Sequence, residues 1–217
     1  MTKKEKKPAG EIGKQHKKVI LRAAETAFAQ NGFKGTSIQN VAELAKLPKT
    51  NVLYYFKTKR ELYSGVMQEI LHTWDSSFDT ATEQDEPSAV LANYIAEKIE
   101  MSRLNPNASK IFALEILNGA GNFDAQFNEQ HKAWFEGRVQ VIQAWIKNNK
   151  MQNVDAEFLL YHIWASTQHY ADFSAQISNL RGSKMNIKDF GNATKTTIAI
   201  ILRGCGLNVP TQYLLKA

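Results

Sequence analysis

From position 49 the chain reads Lys49-Thr50-Asn51-Val52-Leu53-Tyr54-Tyr55-Phe56-Lys57-Thr58-Lys59-Arg60. On a short helix Val52, Leu53 and Phe56 recur at the interval that packs inward, which leaves Lys49, Thr50, Asn51, Tyr54 and Tyr55 facing out. Ammonium groups neutralise phosphates, while threonine, asparagine and tyrosine can bond base edges or backbone, so the set suits double-stranded DNA. Core packing accounts for one of the two tyrosine rings but not for Lys49, Lys57, Lys59 and Arg60 around them. A second pair, Trp164 and Gln168, stands one helical turn apart, with Trp74 far upstream. Indole faces are flat apolar walls and a glutamine amide offers donor and acceptor together, which suits a small planar ligand. At that spacing core packing with a satisfied amide is the commoner role, so these residues alone assign no ligand.

Other reactive side chains lack their partners. His162, His169 and Asp172 could share a helix face, but two histidines seven apart miss the i, i+4 spacing of metal ligands, so structural or interface roles are expected and no metal site. Gly119-Ala120-Gly121 follows no strand and is no dinucleotide loop. Cys205 has no base near it in sequence and reads as a packing residue, while Ser109 and Ser166 show no nucleophile–base pattern. Neither an enzyme nor a cofactor is expected.

The elements that must position these groups are helical. With 217 residues, 43% of them hydrophobic, the chain can build a real core, and its single cysteine excludes an internal disulfide. No apolar run reaches membrane-spanning length and no apolar stretch follows Lys3, Lys4, Lys6 and Lys7, so a soluble cytoplasmic protein with no membrane partner is expected. The net charge of +6 is unevenly spread: residues 1–60 hold 14 Lys/Arg against 4 Asp/Glu, and the rest hold 13 against 17. A basic head on a mildly acidic body points to a polyanion-binding module joined to a domain of other purpose.

Ile20, Ala23, Ala24, Ala27 and Phe28 mark one face of a first helix ending at Asn31-Gly32. Thr36, three residues before Gln39, has capping-box spacing and opens a second; Lys46-Leu47-Pro48 turns the chain into a third that ends at Tyr55. Thr58 to Glu61 repeats the box and opens a long fourth helix bearing Trp74, about 24 Å from Thr58 at 1.5 Å per residue. Further helices are expected at about 88–103, 106–118, 124–149, 155–180 and 187–205. The fold class is all-α, with about nine helices. A flexible basic tail at 1–13, a helix-turn-helix DNA-binding domain at 14–61, and a ligand-binding and dimerisation domain at 62–217 follow.

Ala23-Ala24, Phe28, Gly32-Phe33, Gly35-Thr36-Ser37, residues 38–45 and above all Leu53 through Leu62 together resemble the TetR family of bacterial transcriptional repressors. The resemblance implies Thr36, Ser37, Tyr55, Lys57 and Lys59 as phosphate contacts and Lys49, Thr50, Asn51 and Tyr54 as groove-facing residues. One departure is Lys46, which stands where such proteins usually have glycine and would have to take a left-handed backbone conformation. Trp74, residues 108–120 and residues 163–173 look like the pyrimidine-utilisation regulators of that family, which implies a uracil or thymine effector held by Trp74, Trp164 and Gln168. A homodimer formed through the last two helices is expected, with Ala165, Phe173, Ile198, Ile201 and Leu202 supplying apolar contacts. The alternatives are a regulator of another small molecule, or a constitutive DNA-binding module whose second domain only dimerises.

Overall fold

The computed structural model describes residues 9–214. Ten α-helices and a closing 3-10 turn account for their regular structure, one helix more than expected: α1 (Ala9–Gly35), α2 (Ile38–Ala45), α3 (Lys49–Tyr55), α4 (Lys59–Asp79), α5 (Pro87–Leu104), α6 (Pro106–Leu117), α7 (Ala125–Lys147), α8 (Ala156–Asp172), α9 (Ser174–Arg181) and α10 (Ile187–Gly204). The extra element arises at Phe173, whose φ −107° and ψ 24° interrupt what reads in sequence as one helix. Residues 9–13 belong to α1, and residues 1–8 of the expected tail lie outside the described residues. Among the described residues no helix is long and apolar enough to cross a membrane.

The chain divides into two compact units: residues up to Ile70 with Ile111–Asp124, and Leu71–Lys110 with Ala125 onward. The first unit is larger than the expected 14–61 head because α4 keeps contributing to its core through Leu62, Tyr63, Val66, Met67 and Ile70. Tyr63 meets Phe28 and Phe33 edge-on at 4.8 and 5.0 Å and donates its hydroxyl hydrogen to Glu115 at 2.9 Å, tying in the end of α6. Burial, then that carboxylate, pushes the Tyr63 phenol well above its ordinary range. Glu115 also accepts from the Asn122 amide nitrogen and side chain, each at 2.9 Å.

Local chemistry sets the head's turns. α1 breaks at Gly32 (φ 66°, ψ 176°), a conformation open in practice to glycine alone. The cap of α2 is Ser37, one residue later than expected: its hydroxyl accepts from Asn40 N–H at 3.1 Å and its own N–H donates to Asn40 Oδ1 at 3.1 Å. Lys46 takes the left-handed conformation that the turn demands (φ 53°, ψ 41°), and Pro48 then caps α3. Thr58 Oγ1 accepts from Glu61 N–H at 3.0 Å, while the Glu61 carboxylate reaches back to Lys57 N–H at 2.9 Å.

In the second unit Leu91, Tyr94, Ile95 and Ile99 of α5 lie in the core with Ile142 and Trp145 of α7, Leu160 and Ile163 of α8, and Ile198, Ile201 and Leu202 of α10. At about 25 cal/mol per Å2 of apolar surface, each such side chain contributes about 1.5–3 kcal/mol. Ile198, Ile201 and Leu202 are therefore spent inside the chain, a correction to their expected interface role. Phe158 on α8 and Ile200 on α10 are instead 67% and 62% exposed, and both line one groove with Val154, His162 and Gly204.

Candidate functional site

The helix-turn-helix consists of α2, the turn at Lys46, Leu47 and Pro48, and α3. Val52 is fully buried and Phe56 nearly so, whereas Leu53, expected inward, is partly exposed. The opposite side of α3 presents Lys49 and Thr50, with Asn51 half-buried and Tyr54 81% exposed. Tyr55 is half-buried, edge-on to Tyr54 at 5.1 Å and to His16 of α1 at 6.5 Å. Lys57 and Arg60 are exposed, and Ser37 is exposed at the mouth of α2.

Two of the expected phosphate contacts face elsewhere. Thr36 is buried and donates its hydroxyl to the carbonyls of Ala27 at 3.0 Å and Gly32 at 2.8 Å, which ties down the end of α1. Lys59 donates from Nζ to the carbonyls of Phe33 and Thr36, both at 2.9 Å, and to that of Lys34 at 3.4 Å, lying 4.6 Å above the Phe33 ring. An ammonium has three donors, so Lys59 caps the α1–α2 link rather than standing free for a phosphate. Sequence spacing could not find this role, since the carbonyls lie 23–26 residues away.

The second unit gathers an aromatic and ionic group around Tyr94 and Lys98 of α5. Trp164 Nε1 donates to Tyr94 Oη at 2.8 Å, and the Trp164 ring lies near-parallel to His131 at 6.2 Å and to Trp134 at 6.4 Å. Lys98 Nζ stands 4.7 Å from the Trp74 ring centre and 5.5 Å from that of Tyr94, so Trp74 and Trp164, two of the sequence-predicted residues, border the same pair. Gln168 is half-buried one turn beyond Trp164, and its side-chain amide makes no hydrogen bond to another described residue.

Lys98 is 4% exposed and Asp75, beside Trp74 on α4, is 8% exposed. Burial raises the Asp75 carboxyl to about 7 against the pull of Lys98, with Asp79 adding to the rise. Burial likewise lowers the Lys98 ammonium to about 8, opposed by Asp75, and depresses His131, with Lys98 reinforcing. The sequence reading missed Asp75, Tyr94, Lys98 and His131. An acid and a lysine 23 positions apart carry no spacing signal, although a lysine among Tyr94, Ile95 and Ile99 on the buried stripe of α5 was a clue.

His162 and His169 are exposed, the latter stacked on Phe173 at 4.9 Å, and Asp172 accepts from Ser109 Oγ at 2.5 Å.

Residues 20–66 match the model for bacterial regulatory proteins of the tetR family, and residues 67–208 match the YcdC-like protein C-terminal region. The chain is 39% identical over 189 residues to the HTH-type transcriptional regulator RutR of Escherichia coli K12, covering 87% of this chain and 89% of that one; the RutR of Shigella flexneri matches equally. Among solved structures, SCO4942 from Streptomyces coelicolor superposes with a TM-score of 0.70 at 15% identity, covering 89% of this chain and all but 1% of that one. AibR in complex with isovaleryl coenzyme A and operator DNA gives 0.62 at 13% identity, covering 85% of this chain and 97% of AibR. At such low identity both show likeness of fold alone.

Proposed function

Since the chain belongs to the TetR family and is a helix-turn-helix DNA-binding transcriptional regulator, we propose that it is a homodimeric repressor released from its operator by a small planar effector, a pyrimidine base such as uracil or thymine. DNA binding falls to residues 14–61, with ligand binding and dimerisation assigned to 62–217. In this reading α3 enters the major groove with Lys49, Thr50, Asn51 and Tyr54, while Ser37, Tyr55 and Lys57 hold phosphates. Thr36 and Lys59 act from beneath by fixing the backbone between α1 and α2. No cofactor takes part.

The observation that carries the ligand half is the meeting of Trp74 and Trp164 at Tyr94 and Lys98, where flat rings surround a buried polar group. A second domain that served only to dimerise would be expected to have a filled apolar core without such a group. The choice of a pyrimidine rests on the resemblance of residues 108–120 and 163–173, with Gln168 supplying donor and acceptor to the imide edge. Helix α4 contributes Leu62 to Ile70 to one core and Trp74 to the other, so a ligand against Trp74 acts on a helix shared with the head. A typical coupling of 1–3 kcal/mol corresponds to about 5- to 150-fold in operator affinity, and the ligand must prefer the DNA-free dimer by the same factor.

The test is calorimetry of the full chain against uracil, thymine, cytosine and uridine, paired with operator binding at saturating base. Saturable heat with uracil or thymine, together with weakened operator binding, is the expected result. Heat from none of the four removes the pyrimidine reading. Unchanged operator binding in the presence of a bound base removes the effector role.

A further inference from the structure

Lys98 and Asp75 are each more than nine-tenths buried, and among the described residues neither side chain makes a hydrogen bond or an ion pair within 4 Å, although the two charges attract one another and Lys98 lies over the Trp74 and Tyr94 rings. Charges in that position are costly unless paired and hydrogen-bonded, and a fold seldom keeps two of them for packing alone. The two are complementary: an ammonium only donates and a carboxylate only accepts. Their surroundings are rings, with Trp74 and Tyr94 facing Lys98, and Tyr94 already accepting from Trp164.

We propose that Asp75 and Lys98 are the pair that reads the effector, Lys98 donating to a ring carbonyl and Asp75 accepting from the neighbouring ring N–H. The ligand class is then a flat, uncharged lactam, since an acceptor and a donor on adjacent ring atoms complement the two side chains. Once Asp75 is ionised, above about pH 7, a charged ligand fits less well, because the opposite charges of the pair then balance. The other ionisable groups nearby do not alter this. Asp79 is exposed and holds the Trp134 N–H, and burial keeps His131 toward its neutral form. This assignment rests on the reading that the effector occupies the second unit, and it makes Lys98 and Asp75 determinants of specificity beyond Trp74, Trp164 and Gln168.

The experiment titrates the full chain with uracil, with 2-pyridone, which keeps only the lactam edge, with 1-methyl-2-pyridone, which lacks the N–H, and with benzoate, a flat anion. Wild type should bind uracil and 2-pyridone and reject the other two. Asp75→Asn and Lys98→Gln should each weaken lactam binding by about 10- to 150-fold, the range for a lost charge-assisted hydrogen bond, with operator affinity retained. Binding of 2-pyridone but not uracil sinks the pyrimidine reading and leaves the pair standing. Uracil binding that is unchanged in both variants overturns the pair and leaves the pyrimidine reading standing. Tighter binding of benzoate or of the methylated lactam, or no binding by any probe, also overturns the pair, and the ligand comparison on wild type needs no variant to fold.

Discussion

Lys46 sits at φ 53° and ψ 41°, a region that costs a residue with a Cβ about 1–2 kcal/mol and glycine almost nothing. Glycine also gains entropy in the unfolded chain, which offsets part of the relief. Lys46→Gly should therefore raise the unfolding free energy by about 0.5–1 kcal/mol, and an unchanged or lower denaturant midpoint would show that the turn carries no such strain. At Asp75 the prediction concerns pH. Its carboxyl is raised in the fold from the ordinary 3.8 to about 7 by burial, so the native state retains a proton that the unfolded chain gives up. The stability this contributes is complete below the unfolded value and is lost as pH rises through about 7. Thermal melts should show wild type losing stability relative to Asp75→Asn between about pH 4 and 7, and a constant difference would contradict the burial argument. Lys98 works in the opposite sense: its lowered value makes its contribution full above the unfolded value and lost as pH falls through about 8.

At the scale of elements, two lysines two positions apart on one turn should behave differently. Lys59 satisfies carbonyls at the end of α1, so Lys59→Ala should cost about 0.5–1.5 kcal/mol of stability as part-buried acceptors lose their donor. Lys57→Ala should leave the melting curve alone and weaken operator and random DNA alike, whereas Asn51→Ala should relax sequence choice by about 1–3 kcal/mol. Equal loss of specific and random binding in Asn51→Ala would remove the asparagine from base contact. The helices themselves were legible because their apolar spacing, caps and prolines are local signals: Pro87 and Pro106 open α5 and α6, and Asp155 caps α8 by accepting from Glu157 and Phe158 N–H. Less legible was anything set by distant partners. The α8–α9 break at Phe173 has neither glycine nor proline to announce it. The cap moved from Thr36 to Ser37 because Thr36 is drawn inward by Ala27 and Gly32. At Gly65 in mid-α4 an added methyl group would stand 3.0 Å from Phe56 Cε1, so that distant ring would have to give by a few tenths of an ångström. The same limit hid half the candidate ligand site: Trp74 and Trp164 were visible as resemblance, whereas Asp75 and Lys98 matter only because folding buries them together.

For the whole molecule, one recognition helix of seven residues reads too few base pairs for operator specificity, so two copies must act together. The surface that would join them is set by what the second unit leaves uncovered. Leu202 and Ile198 of α10 turn into their own core, while Ile200 on the same helix and Phe158 on α8 stay exposed beside one another in a groove. Pairing two such faces would give the four-helix arrangement of a two-fold dimer, in which each patch meets its own copy. Burying Ile200 twice across that axis contributes about 3–6 kcal/mol at 1.5–3 kcal/mol per side chain. An aspartate there would place two like charges in the same dry contact. Ile200→Asp should therefore sediment as a monomer at micromolar concentration while keeping its helical content, since the residue makes no contribution to the core. Its operator affinity should collapse toward that of a single head, and its salt dependence should shallow, because halving the contacted phosphates halves the slope of log affinity against log salt. A dimer with unchanged operator binding would show that the two copies meet through some other surface than α8 and α10.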